Sequence, residues 1–79
     1  MAPTIVRDGQ FRLFFFSREE PRMHVHVTHP DDEAKFWMEP VIELAQNYDL
    51  SQKEIGDALR MVQEHEHDIR SAWQGHFGG

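Results

Sequence analysis

The sequence predicts an α+β fold, in which a four-stranded antiparallel β-meander is followed by two C-terminal helices packed on one face of the sheet. Three observations lead to this prediction. Runs of β-branched and aromatic residues fill positions 4–37, and only short turn-forming segments separate them, as in antiparallel neighbours. Beyond residue 40, apolar residues recur at helical spacing. The length of 79 residues indicates one domain, residues 1–79.

Turn signals place the strands in the N-terminal half. Asp8-Gly9 supplies the positive φ angles that a two-residue hairpin turn requires. Pro30 fixes φ at the second position of a later turn. The predicted strands cover residues 4–7, 10–16, 23–28 and 33–37.

Helix signals follow in the C-terminal half. Pro40 suits a first helical position, so a short helix is predicted over residues 40–47. Ser51 and Glu54 form a capping box at the start of a second, longer helix. A straight helix of about 26 residues, the length predicted here, would span about 39 Å, whereas a seven-residue strand spans about 23 Å. We therefore expect this helix to bend near residues 65–66 or to extend beyond the sheet onto another chain.

Alternation along the strands sorts the side chains into two faces. Val25 and Val27 point to the face that receives the helices. The opposite face carries aromatic rings among imidazoles and cations, which is typical of a surface that meets a partner, and also of a second small core or a dimer seam. We expect water to reach this face. The predicted binding residues on it are Arg12, Phe14, Phe16, Lys35 and Trp37.

The histidine pair in "RMHVHVTH" lies on that second face. His24 and His26 are two residues apart on a strand, so their Cα atoms lie about 6–7 Å apart with both rings on one side. If the protein is an enzyme, they are the candidate catalytic acid–base pair. Zinc would require a third protein ligand that the spacing does not supply, so we predict no metal and no cofactor. His65 and His67 are about 200° apart around a helix and indicate a solvated polar face.

Charge and composition restrict the partners. The formal net charge is −6, and most of it lies in the C-terminal half, so an anionic ligand should meet the N-terminal half. The segment "ELAQNYDLSQKE" is similar to the turn of a helix-turn-helix, but an ordinary helical hairpin fits it better and DNA binding is disfavoured. No apolar run is long enough to span a membrane, no signal peptide is evident and there is no Cys, so we expect a cytoplasmic protein. Its small size favours a homodimer or a protein partner.

Several segments in fixed order resemble a small bacterial domain-of-unknown-function family. They are "APTI", "FRLFFFS", "HVHV", "EAKFWMEP", "ELAQNY" and a terminal "W-x-x-x-F". The chain departs from the family pattern in one place, where Arg22-Met23 follow Pro21 before the histidine pair. The resemblance implies a bacterial cytoplasmic protein, often encoded beside another small uncharacterised protein in a toxin–antitoxin-like arrangement. It implies no established activity.

The leading functional prediction is an interaction module of such a toxin–antitoxin-like pair, which binds a protein partner through the His/aromatic face. One alternative is a small RNA-cleaving toxin, in which His24 and His26 exchange protons and Arg12 or Lys35 steadies the phosphate charge. The other is a helix-turn-helix DNA-binding regulator. The net charge weighs against both alternatives, although the nearly neutral N-terminal half keeps the first of them open.

Overall fold

A computed structural model describes residues 4–15 and 22–77 of the chain. All neighbouring strands are antiparallel, and they follow chain order across one sheet. The α+β class, with an antiparallel sheet and two C-terminal helices, is confirmed, but the predicted number of strands is wrong because the sheet has five. The elements are β1 (Thr4–Asp8), β2 (Phe11–Phe14), β3 (His24–His29), β4 (Asp32–Trp37), β5 (Glu43–Tyr48), α1 (Gln52–Glu64) and α2 (Glu66–Phe77).

The first four strands lie where the sequence predicts them, to within one or two residues at their ends. The predicted end of the second strand, residue 16, lies outside the described residues. The first hairpin turn is shifted by one residue from the prediction: Asp8 pairs with Phe11, so the loop consists of Gly9 and Gln10. Gly9 alone takes a positive φ there, +61°, which glycine adopts without a steric cost.

The predicted helix over residues 40–47 is wrong. A strand, β5, occupies Glu43–Tyr48 and pairs along β4, from Glu33 opposite Tyr48 to Trp37 opposite Glu43. The helix-turn-helix hypothesis and the simpler helical hairpin both required a helix here, so neither describes this segment. Asp49 does take the left-handed conformation (φ 74°) that a glycine would adopt in such a turn, but it connects a strand to a helix.

The helix start after β5 is confirmed. The Ser51 side chain accepts a hydrogen bond from the Glu54 N–H at 3.1 Å, and the Glu54 carboxylate accepts one from the Ser51 N–H at 2.8 Å. These two bonds satisfy two backbone donors at a helix end that would otherwise lack partners.

The long helix breaks at the predicted place. His65 leaves helical geometry (φ −104°, ψ 18°) and separates α1 from α2. Its N–H still donates to Met61 O at 3.0 Å, and its carbonyl accepts from the Ile69 N–H at 2.9 Å. The break lets both halves of the apolar stripe reach the sheet, because Val62 before it and Ile69 after it are both fully buried.

The hydrophobic core lies between the two helices and the sheet face that carries Val25 and Val27, as predicted. All its members are buried, and side chains from four of the strands pack against it. The core residues are Leu13, Phe15, Met23, Val25, Val27, Ala34, Phe36, Met38, Leu50, Ala58, Met61, Val62, Ile69 and Trp73.

Candidate functional site

The sheet face opposite the core, here called the outer face, collects the residues that the sequence singled out. In the strand register His26 lies opposite Phe14 on one side and Lys35 on the other, while His24 lies opposite Trp37. Directly opposed residues of antiparallel strands share a face, so the predicted grouping of these side chains is confirmed. Phe16, also predicted for this surface, lies outside the described residues. The described outer-face residues used below are Arg7, Arg12, Phe14, His24, His26, Glu33, Lys35, Trp37 and Glu43.

The histidine pair is buried, contrary to the expectation that water reaches it. His24 is 0% exposed and His26 is 7% exposed. The ring of Trp73, from α2, lies 5.2 Å from the His24 ring, and the Trp37 ring lies 5.8 Å from it. Strand alternation placed the imidazoles on the correct face. It could not indicate that a helix near the end of the chain would bring an indole against one of them.

Each imidazole is held through its Nδ1 atom. His24 Nδ1 lies 2.7 Å from the carbonyl oxygen of Arg22, which can only accept a hydrogen bond, so Nδ1 carries the proton. His26 Nδ1 lies 3.2 Å from a carboxylate oxygen of Glu33 on the neighbouring strand. Such anchoring fixes the ring orientation and leaves Nε2 as the atom that can exchange a proton. The Glu33 contact is a diagonal cross-strand pair that no motif in the sequence indicated.

Cationic side chains lie over the aromatic rings of the outer face. The Arg12 guanidinium carbon is 4.6 Å from the centre of the Phe14 ring. The Trp37 ring has two such neighbours, the Arg22 guanidinium carbon at 4.1 Å and Lys35 Nζ at 4.5 Å. These distances fall within the range of cation–π attraction, about 6 Å. The three predicted binding residues Arg12, Lys35 and Trp37 therefore belong to one cation–aromatic surface, in which Lys35 is itself buried, with 8% of it exposed.

Arg22 is a member of this surface that sequence reasoning missed. It precedes β3, so strand alternation could not place its side chain. Its Nε donates to the Glu39 carbonyl at 2.9 Å, and a terminal nitrogen lies 3.5 Å from the Glu43 carboxylate. These contacts fix the guanidinium over Trp37, while the side chain stays 40% exposed and accessible to a partner.

Among the described residues, the outer face has the opposite charge balance to the whole chain. The cations Arg7, Arg12 and Lys35, together with Arg22 over the Trp37 ring, outnumber the carboxylates Glu33 and Glu43, whereas the chain as a whole carries −6. Charges in clusters attract partners of the opposite sign and repel partners of their own sign. The described part of this face thus suits an acidic or otherwise anionic partner.

The tract "EHEHD" is not part of this surface. His67 is exposed, and the side chain of His65 lies 3.8 Å from the Asp68 carboxylate, one turn further along the helix. Within residues 4–15 and 22–77, no three His, Asp or Glu side chains are grouped so that they could hold a metal ion. In the same ranges no helix has both the length and the apolar character that crossing a bilayer requires.

Comparison with known proteins assigns the family. Residues 10–74 match the family described as Domain of unknown function (DUF4160). The chain belongs to this family. The match to DUF4160 covers all described outer-face residues except Arg7, and it reaches α2 as far as Gln74. No curated protein and no solved structure matches the chain.

Proposed function

We propose that this DUF4160 protein is an interaction module of a toxin–antitoxin-like pair, and that it binds an acidic protein partner through the outer face of its sheet. The observation that carries the proposal is the cation–aromatic surface around Trp37, with Arg22 and Lys35 over one ring, in a chain of net charge −6. A cytoplasmic location belongs to the same proposal.

The chemistry of this surface favours recognition. Tryptophan and arginine are enriched among the residues that dominate binding at protein interfaces. The contacts of Arg22 with Glu39 and Glu43 hold its guanidinium in place before a partner arrives, which reduces the entropy lost on binding. In this proposal His24 and His26 do not contact the partner. They are buried and anchored through Nδ1, and they hold the neighbouring aromatic rings in position.

The test uses the small protein that the family resemblance expects to be encoded beside this gene. The two proteins are co-expressed, and their affinity is measured by calorimetry for the wild type and for Arg22→Glu. We expect charge reversal at Arg22 to weaken binding about tenfold or more, because it opposes an acidic partner. Binding should also weaken as salt is added, because screening reduces the attraction between exposed charges.

Arg60→Glu is the matched control. Arg60 is an exposed arginine on α1 that also contacts carboxylates, Asp57 at 3.3 Å and Glu64 at 3.8 Å. Its reversal changes the net charge equally but leaves the outer face intact, so affinity should stay close to that of the wild type. Failure of the neighbouring protein to bind, or equal weakening by both substitutions, would contradict the proposal.

RNA cleavage is the second candidate function. The observation that favours it is the contact of His26 with Glu33, since a carboxylate at Nδ1 orients an imidazole for proton transfer through Nε2. Lys35, opposite His26 on β4, would steady the phosphate charge. His24 is fully buried, so in this candidate it positions His26, whose ring centre lies 5.3 Å away, and does not touch the substrate.

Incubation of the purified protein with labelled RNA tests this candidate. Cleavage by the wild type should be lost in His26→Ala and retained in His67→Ala, which removes an exposed histidine of α2. If the wild type leaves RNA intact, or if His26→Ala cleaves normally, the RNA-cleaving function is excluded.

A further inference from the structure

The exposed large hydrophobic residues of the described chain all lie on β5 or directly before it. They are Val41, Leu44 and Tyr48, which are 59%, 43% and 51% exposed. Among the described residues β5 pairs only with β4, so it is also an edge strand. An exposed edge strand offers unpaired backbone N–H and C=O groups to another strand.

The opposite edge of the sheet is protected in a way that β5 is not. β1 carries two exposed charges, Arg7 and Asp8, at its last two positions. Charges at an edge discourage further strand pairing. Within β5 the only charged residue is Glu43, at its first position. The two edges are therefore unequal, and β5 is the one suited to accept a strand.

A notch beside β5 adds a place for a side chain. It lies between β5 and α1, has a volume of about 190 Å³, and is lined by Leu44, Asn47, Gln52 and Ile55. Leu44 reaches it because it lies opposite Phe36, a core residue, and so points to the helix side of the sheet. Strand addition typically combines backbone hydrogen bonds with pockets that take alternate side chains.

We propose that β5 pairs with β5 of a second copy of this chain, antiparallel about a twofold axis, and that the protein is a homodimer. In the symmetric register, Glu43 lies opposite Tyr48 of the second copy, and Leu44 lies opposite Asn47 of the second copy. Asn47 lines the notch, so a Leu44 side chain that lies opposite Asn47 of the other copy also lies at the notch of that copy. The contact is isologous, as expected of a twofold dimer.

The irregularity within β5 fits this register. β5 has an extra residue around Ala45 and Gln46, opposite the step from Lys35 to Phe36. In the symmetric register, Ala45 lies opposite Gln46 of the second copy, so the two irregularities meet at the twofold axis. The two residues of every other opposed pair then point to the same side of the sheet. Glu43 and Tyr48 point to the outer face, whereas Leu44 and Asn47 point to the helix side. No two like charges are opposed along the six residues, so electrostatics does not oppose the pairing.

Sedimentation of the wild type over a micromolar to millimolar concentration range tests the dimer. We expect a concentration-dependent particle of twice the 9.3 kDa chain mass. Leu44→Lys should raise the dimer dissociation constant about tenfold or more, because a charge would be buried in a notch whose lining holds no carboxylate. Val41→Lys removes an apolar side chain that is more exposed than Leu44 and lies outside the paired residues, so it should leave the dissociation constant nearly unchanged.

Introduced cysteines test the register directly, since the chain has no Cys of its own. Glu43→Cys and Tyr48→Cys variants with different tags are mixed under mild oxidation. A mixed disulfide should form quickly, because opposed residues have Cα atoms about 4.5–5.5 Å apart. Each variant alone should form little, because its two cysteines would lie about 17 Å apart along the strands.

Three outcomes would overturn the proposal: a monomer throughout the concentration range, equal effects of Leu44→Lys and Val41→Lys, or a dimer without the mixed disulfide. The mixed disulfide keeps the test decisive if Leu44→Lys fails to fold. The proposal does not depend on the outer-face partner, because Arg22 and Trp37 remain available in such a dimer.

Discussion

His24 lies where the outer face and the core meet. Its position in β3 assigns it to the outer face, opposite Trp37, yet Trp73 of α2 also contacts its ring and no part of it is exposed. Its Nδ1–H donates to Arg22 O, so its removal would leave a partly buried carbonyl without that donor and a gap beside two indoles. We therefore expect His24 to stabilise the fold about as much as an apolar core side chain does.

We expect His24→Ala to lower the free energy of unfolding by about 1–3 kcal/mol, comparable to Val25→Ala, because both leave a cavity and the first also loses a hydrogen bond. His67→Ala, at an exposed histidine, should change it by no more than about 0.5 kcal/mol. Urea unfolding of the three variants measures this. If His24→Ala unfolds like His67→Ala, then the contacts of His24 with Trp73 and Arg22 do not stabilise the fold.

Among the elements, β5 is the one whose type could not be predicted from its own residues. Strands β1 to β4 could be predicted because alternation and turn residues mark them locally. β5 reads "ELAQNY", whose first four residues favour helix at least as much as strand, and its extra residue destroys the alternation. It is a strand because β4 offers it a pairing edge, which is information held in another part of the chain. The contact between Trp73 and His24 escaped prediction for the same reason, since it joins distant segments of the chain.

The start of α1 could be predicted from four residues, and its capping box has a consequence for pH dependence. The Ser51 N–H, which donates to Glu54 at 2.8 Å, is the largest cause that lowers the pKa of Glu54 below its ordinary value. His29, 3.0 Å from the other carboxylate oxygen, lowers this pKa further. A carboxyl with a lowered folded-state pKa stabilises the fold above its unfolded-state pKa, about 4.3, and that stabilisation is lost as the pH falls through the lowered value.

Glu54→Gln should therefore be less stable than the wild type at neutral pH, and the difference should shrink as the pH falls below about 4.3. Glu64→Gln, near the C-terminal end of the same helix and outside the capping box, is the matched control and should not reproduce this pattern. Urea unfolding between neutral and acidic pH measures both. A stability difference for Glu54→Gln that stays constant across this range would show that the charge of Glu54 does not stabilise the cap.

At the scale of the whole molecule, the two sides of the sheet differ in composition. The helix side supplies the apolar core, while the outer face places cations over aromatic rings in a chain whose net charge is −6. α2 connects the two sides, since Trp73 packs edge-on against Phe15 in the core at 5.2 Å and also contacts His24. Arg70 adds a polar connection by donating to Met38 O at 2.7 Å. The geometry of the outer face thus depends on the packing of α2.

Trp73→Ala tests this dependence. A buried tryptophan replaced by alanine costs about 3–5 kcal/mol, and a domain of this size has little more than that in total stability, near the lower end of about 5–15 kcal/mol. We expect Trp73→Ala to be partly unfolded at room temperature by far-UV circular dichroism and to lose binding at the outer face, although Trp73 is not on that face. Gln74→Ala, at the exposed next position, should change stability by no more than about 0.5 kcal/mol. A Trp73→Ala variant that folds fully and binds the neighbouring protein like the wild type would show that the outer face is held by the sheet alone.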